Sequence, residues 1–286
     1  MLKVFLIIAL GYFLKKSRVF KREDAKVFID YVVYVALPAV SFKSAHSLGL
    51  GKNTVTVVIL SWTGISVCIL ISYILGRIIK LRSGDLKTFV LVSSFGNTAF
   101  LGYPYTLSFF GEEGLKYAVI YDSLGSFLLI STVGFLISKG NVAFKELFTF
   151  PPFLGLMLGF TLKGYTLEPF IVEFLNTIAS SLSPVVLFAL GLSLSLSGIR
   201  RYLKLSLAAL FIKMILSVLI TYSISKLLSV ESPILEVSLL EAGMPSMMMA
   251  GILALKYGLN YELAFASIGF GILLSFFTVP VLLHLL

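Results

Sequence analysis

The chain is poor in charge, in cysteine and in histidine. Of its 286 residues, 13% are charged, about half the usual share in a soluble domain. The one cysteine, Cys68, lies inside an apolar run, so it can form neither an intramolecular disulfide nor a cysteine-based metal cluster. His46 and His284 stand at the ends of apolar runs and make no metal pair. No nucleophile–base pair or arginine-rich phosphate clamp falls at mid-run, which removes the signature of an intramembrane hydrolase. The net charge of +9 comes from short loops and not from a basic domain, so nucleic acid is set aside as a partner. No cofactor motif is present.

What the chain has in excess is apolar sequence, 58% of residues, in stretches near twenty long. Such stretches let a helix rising 1.5 Å per residue cross about 30 Å of hydrocarbon. Ten spans follow: 2–14, 27–45, 54–79, 87–110, 115–138, 149–162, 169–196, 204–228, 233–256 and 261–284. The first covers only about 20 Å as a helix, short for a bilayer. No small-residue cleavage site follows it, and Lys15-Lys16-Ser17-Arg18 reads as a stop, so it is a span and not a leader. Sixteen Lys and Arg residues fall in the odd loops and five in the even ones. That bias places odd loops in the cytoplasm and both termini outside a cell (inner or plasma) membrane.

A shift of 146 residues superposes Pro38 on Pro184, Val40 on Val186, Phe42 on Phe188 and Ser47 on Ser193. The same register pairs Ala118 with Ala264, Gly125 with Gly271 and Thr132 with Thr278. Five spans per half make the second half enter from the opposite side. The expected fold is all-α, two inverted five-helix repeats at 1–138 and 149–286 joined by a cytoplasmic linker at 139–148. Inverted repeats are typical of secondary carriers.

Spans four and nine are interrupted in corresponding places. Span four reads Gly96-Asn97-Thr98-Ala99-Phe100-Leu101-Gly102-Tyr103-Pro104, and span nine reads Glu241-Ala242-Gly243-Met244-Pro245-Ser246. Proline removes a backbone donor and clashes with the preceding turn. Broken backbone at membrane depth is tolerated only where it is buried in protein or lines a wet cavity. Paired breaks mark a transport site, and half-helix N-termini suit an anion.

These residues resemble the auxin efflux carrier family of membrane transporters. The resemblance rests on Tyr34-Val35-Ala36-Leu37-Pro38-Ala39-Val40, on the Gly96–Pro104 block followed by Phe110-Gly111-Glu112-Glu113-Gly114, and on Gly243-Met244-Pro245 followed by Ala254–Leu259. It spans essentially the whole chain. It implies a fold shared with bile acid:sodium symporters and, more distantly, sodium/proton antiporters. Helices four and nine would cross at their breaks, and helices one, two, six and seven would form a panel around a core of helices three to five and eight to ten. The family moves organic anions, from dicarboxylates to indole acetate. Glu241-Ala242-Gly243-Met244 is similar to a sodium-holding motif of the bile acid branch, but Pro245-Ser246 replaces the Gln-Asn that follows there.

Substrate contacts are expected from Asn97, Thr98, Gly102, Pro104, Gly243, Pro245 and Ser246. Ion coupling is expected from Glu241, Asn97, Asp122, Ser126 and Thr132, with a Na⁺ site at Glu241 and Asn97 as one form and a proton at Glu241 as the other. A mid-span carboxylate costs several kcal/mol unless it faces a cavity or a partner. Two readings of Glu241 therefore stand open: an ion-coupling group, or the permanent partner of Lys213. Asn97 is expected both to contact cargo and to cap the second half-helix, Asp122 either ligates or ties helices together, and Met244 and Met247–Met249 form a soft lining. Pro38 and Pro184 are expected to kink their helices.

The function expected is alternating-access transport of a small organic anion through the bilayer, with Na⁺ or H⁺ coupling. A facilitator or a non-transporting sensor on the same fold is the alternative, and a homodimer is left open.

Overall fold

A computed structural model describes residues 2–48, 50–140, 148–194 and 199–285. Among them the chain is helical throughout, apart from one isolated β-bridge. In chain order the helical runs are α1 (Leu2–Lys16), α2 (Ala25–Leu48), α3 (Lys52–Ile78), α4 (Ser83–Ser94), α5 (Thr98–Lys139), α6 (Pro151–Thr161), α7 (Pro169–Ser193), α8 (Arg201–Leu227), α9 (Ile234–Ala242), α10 (Met248–Lys256) and α11 (Tyr261–Leu285). Six of these, α2, α3, α5, α7, α8 and α11, are long and apolar enough to cross a membrane. Large apolar side chains stand on the outer surface, with Phe170, Phe277 and Leu219 more than half exposed, as lipid permits and water does not.

Helix covers the described residues of each expected span except at mid-span in spans four and nine and at Ser181 in span seven, with smaller differences at the edges. Expected spans four and nine are split, into α4 plus residues 98–110 and into α9 plus α10. The run called α5 changes direction at Gly111, whose φ of +62° and ψ of −162° only glycine adopts without strain. Gly140, at φ +91°, closes α5 in the left-handed conformation common at helix C-termini. Proline opens α6 and α7, where a missing N–H costs nothing. Residues 141–147 of the expected linker and 195–196 of the expected seventh span lie outside the described residues.

Pro38 and Pro184 disturb their helices differently. The turn before Pro38, Val32–Ala36, is π-helical, which moves the carbonyls away from the proline ring. In α7 the chain bends at Ser181, three residues before Pro184, and the Ser181 hydroxyl shares a 2.8 Å hydrogen bond with Tyr31 of α2.

Lipid gives helices no hydrophobic reason to associate, so close backbone packing through small residues does that work. α1 lies on α7, and α2 lies on α6. A Cβ on Gly11 would sit 2.4 Å from the Phe188 carbonyl, and one on Gly155 would sit 2.5 Å from the Pro38 carbonyl. Glycine at those positions is what lets the helices touch. The remaining helices gather around the two chain breaks.

Candidate functional site

The breaks meet. α4 ends at Ser94 and α9 ends at Ala242, and the chain then runs extended through Phe95–Asn97 and Met244–Met247. The Asn97 N–H donates to the Pro245 carbonyl at 2.7 Å, and the Met247 N–H donates to the Phe95 carbonyl at 2.8 Å. Gly96 and Ser246 thus form a one-rung antiparallel bridge, and the Ser246 hydroxyl closes it by donating to Val92 O at 2.6 Å. The freed polar groups satisfy one another, as a buried break requires. Gly271 of α11 makes room for the Pro245 ring, which a Cβ there would meet at 2.7 Å.

One side of this bridge borders a cavity of about 160 Å³. Its wall comes from Ile29, Val33 and Leu37 of α2, Phe100 and Phe127 of α5, and Met247–Met249 at the start of α10. Asn97 and Asp122 are the polar side chains of that lining. Asp122 is fully engaged: Oδ1 accepts from Thr98 Oγ1 at 2.5 Å and Oδ2 from Tyr103 Oη at 3.0 Å. Asn97 is 2% exposed, and its Nδ2 has no hydrogen-bond partner. Its side chain does not cap the helix that follows; its backbone carbonyl accepts from Leu101 and Gly102 instead. The first turns after Asn97 and Met247 both border the cavity, and first-turn N–H groups carry partial positive charge.

Glu241 lies elsewhere in the crossing, fully buried. Its Oε1 accepts from Thr106 Oγ1 at 2.9 Å, and Oε2 has no partner. The carboxyl packs on the backbone of Gly102, where an added Cβ would meet Oε2 at 2.1 Å. Lys213 does not pair with it. Among the described residues no ion pair joins Lys213 to a carboxylate; its Nζ donates to Ala242 O at 2.5 Å, at the C-terminus of α9. An ammonium there offsets the partial negative charge of the helix end. Gly96 leaves space for it, since a Cβ would meet Lys213 Cε at 2.8 Å.

The structure therefore brings Asn97, Thr98, Gly102, Asp122, Lys213, Glu241, Pro245 and Ser246 to one crossing. Pro104 is buried one turn further along. Gly243 faces Leu282 and Val218, away from the cavity. Ser126 is buried with its hydroxyl unbonded, and the Thr132 hydroxyl donates to Leu128 O at 2.7 Å within its own helix.

Comparison with known proteins fits this architecture. A family model described as "Membrane transport protein" matches residues 1–146 and 140–283. The chain belongs to the auxin efflux carrier family of membrane transport proteins. It is 33% identical over 284 residues to an uncharacterized transporter of Methanocaldococcus jannaschii, covering 93% of this chain and 91% of the relative. To an uncharacterized transporter of Methanothermobacter thermautotrophicus it is 30% identical over 288 residues, with 98% and 95% covered.

For a member of this transporter family, sequence reasoning passed over two of the three residues that hold the two carboxylates, Thr98 being the third. Thr106 and Tyr103 were not singled out, yet each is a hydrogen-bond donor to a buried carboxylate. Gly102 and Thr106 are spaced i, i+4, and that spacing was the available signal: it puts both on the helix face that meets Glu241. Wide π-helical turns were a second missed feature. Of the five among the described residues, four, Val32–Ala36, Thr98–Gly102, Tyr121–Ser126 and Ile212–Leu216, carry a residue of the cavity or of the crossing. Such turns recur at functional sites.

Proposed function

We propose that this transporter is a secondary carrier of a small organic anion with an apolar body, coupled to protons through Glu241. The observation that carries the reading is the cavity at the crossing. It offers an unpaired amide donor on Asn97 and two helix N-termini to a carboxylate, within an otherwise apolar and aromatic wall. Glu241 supplies a buried carboxylate with one oxygen free, a form of charge that is costly without a proton or a cation. A hard metal cation takes about six oxygen ligands. Around Glu241 the Thr106 hydroxyl is already donating to the carboxyl and the Gly102 backbone closes the space, so a proton fits the free oxygen better than Na⁺.

Ten transmembrane helices in two inverted halves are the architecture of this reading. A shift of 146 residues carries α1 onto α6, α2 onto α7, α3 onto α8, and the break at Asn97 onto Gly243. The α1–α7 and α2–α6 contacts then become equivalents of each other, which supports a panel that rocks against the crossing helices. With the odd loops cytoplasmic, both termini face outward.

The test is uptake into proteoliposomes of a panel of labelled aliphatic and aromatic monocarboxylates and of dicarboxylates. Imposed pH and Na⁺ gradients are applied separately, and counterflow separates a carrier from a pore. Saturable, pH-driven uptake of an apolar monocarboxylate is expected. Uptake driven by Na⁺ alone, or no counterflow for any anion, would sink the proposal.

A further inference from the structure

Glu241 needs a way to exchange its proton, and the anion cavity is not the only opening near it. A second, polar cleft of about 390 Å³ lies between the start of α3, Tyr117 of α5 and the 228–234 segment that leads into α9. Lys52, Asn53, Thr56, Ser229, Glu231 and Ser232 contribute its polar groups, and it shares no lining residue with the cavity at Asn97.

From that cleft a stripe of buried polar side chains runs inward along α8. Ser225, Thr221, Ser217 and Lys213 repeat at i, i−4, i−8 and i−12 and are each at most 2% exposed. Within the α-helical part, Ser225, Thr221 and Ser217 share one face over about 12 Å of helix, and the π-helical turn Ile212–Leu216 carries Lys213 beyond them. At the outer end, the Ser225 carbonyl accepts from the N–H of Val230, a residue of the cleft wall. In the middle, α3 comes close at Gly64, where a Cβ would meet Thr221 Oγ1 at 3.1 Å. Tyr121 of α5, one turn beyond Tyr117, is buried with its side chain hydrogen-bonded to Thr221 and within electrostatic reach of Glu241. At the inner end, Cys68 of α3 faces Ser217 and Lys213.

One atom on this line has no hydrogen-bond partner, Oε2 of the fully buried Glu241. A polar stripe ordinarily satisfies itself within its helix, as Ser225 does by donating to Thr221 O at 2.6 Å. A Thr221 hydroxyl that reaches across to Tyr121 of another helix, with an unsatisfied carboxylate beyond it, is a different arrangement, and water is the usual third party.

We infer that the Tyr117–Tyr121 and Ser225–Thr221–Ser217 faces form a water-fed proton route from the polar cleft to Glu241, separate from the path of the anion. The inference rests on the reading of Glu241 as the coupling group. Along the route each hydroxyl or water accepts one proton and releases another. One proton arrives at Oε2 and turns the carboxylate into the neutral acid, and no bond other than O–H bonds changes. Four ionisable groups stand around Glu241 from the neighbouring helices: Lys213 of α8, and Asp122, Tyr103 and Tyr121 of α5. A separate route lets the proton load while the anion cavity is closed.

The labelling arm of the test needs no known substrate. Cys68 is the chain's one cysteine, so Cys68→Ser, or Cys68→Ala if the first misfolds, gives a cysteine-free background. Single cysteines are placed at Ser225, Thr221 and Tyr117, with Leu219→Cys on the exposed, lipid-facing side of α8 as control. Sealed proteoliposomes are treated with aminoethyl methanethiosulfonate from one face and then the other, and modification is read by intact mass. Variants that elute as monodisperse protein are scored. The expected result is modification of Ser225→Cys and Thr221→Cys from one face only, at least about tenfold faster than Leu219→Cys, because the reactive thiolate forms only where water reaches. Modification of Thr221→Cys no faster than of Leu219→Cys overturns the route, whatever Glu241→Gln does to uptake. Labelled Thr221→Cys with an unchanged pH dependence in Glu241→Gln overturns the proton assignment and the coupling reading together.

Discussion

The crossing holds two buried carboxylates that are treated in opposite ways. Asp122 borders the anion cavity, and both of its oxygens are taken, by Thr98 and Tyr103. Glu241 is also buried, but it keeps one oxygen free and has no cation in contact. A satisfied buried carboxylate fixes geometry: Asp122 ties the first turn after the break to the second half of α5. An unsatisfied one is costly to the fold, and a fold retains that cost where the group has work to do. Asp122 of α5 is tied in place at the cavity wall, and Glu241 of α9 keeps an oxygen open for the exchange proposed above.

The sharpest way to break this contrast is to neutralise Glu241 without changing its shape. If one proton moves with each anion, a one-unit pH gradient drives accumulation toward about tenfold, because each factor of ten corresponds to about 1.4 kcal/mol. Glu241→Gln should abolish that gain, leaving internal and external anion equal while counterflow continues. Proteoliposome uptake with and without the gradient measures it. Accumulation that survives the substitution would remove Glu241 from the coupling.

Stability should move the other way. Asp122→Ala leaves two buried donors, Thr98 Oγ1 and Tyr103 Oη, without acceptors. At about 1–3 kcal/mol for each stranded group, the loss should be about 2–6 kcal/mol, read as a lower unfolding midpoint in detergent. Glu241→Gln removes an uncompensated charge and should leave that midpoint unchanged or raised. Equal destabilisation by the two substitutions would erase the distinction between scaffold and working group.

A smaller effect is expected at Asn97. Its side-chain amide makes no internal hydrogen bond, so Asn97→Ala should not lower stability. It should weaken anion binding by about five- to tenfold, the worth of one hydrogen bond of about 1–1.4 kcal/mol. KM for the best anion should rise with little change in maximal rate. A fall in stability with KM unchanged would make Asn97 a structural residue of the break.

The parts of this molecule that were readable from sequence are those where chemistry forbids alternatives. Glycine and proline in the middle of two apolar stretches located both breaks, because an unpaired backbone in lipid has few solutions. Glu241 stood out because a mid-membrane carboxylate is expensive. The partners of these residues were harder to see. Lys213 looked like the partner of Glu241 on charge alone, yet a helix C-terminus offered its ammonium a carbonyl at 2.5 Å. Thr132 looked like a neighbour of Asp122. Two π-helical turns, Tyr121–Ser126 and Ile130–Gly134, lie in that stretch, and each adds a residue to the α period. Everything beyond such a turn rotates by about 100°, so a helical wheel drawn at 3.6 residues per turn assigns the wrong face.

The smallest expected effect sharpens the contrast by supplying a carboxylate that is neither scaffold nor working group. Glu262, at the start of α11, pairs with Arg201 at 3.1 Å, with the two side chains 46% and 72% exposed. Water and salt screen such a pair, and exposed pairs contribute at most about 1 kcal/mol. Arg201→Ala should therefore shift stability by less than about 0.5 kcal/mol, and raising the salt concentration should shrink even that. It should leave the pH-driven accumulation intact. Three carboxylates in one chain would then fall in an order set by burial and satisfaction: Asp122 felt in stability, Glu241 felt in coupling, and Glu262 in neither. A large stability loss at Arg201 would mean that this end of α11 is held by its charges, and the ordering by burial would fail there first.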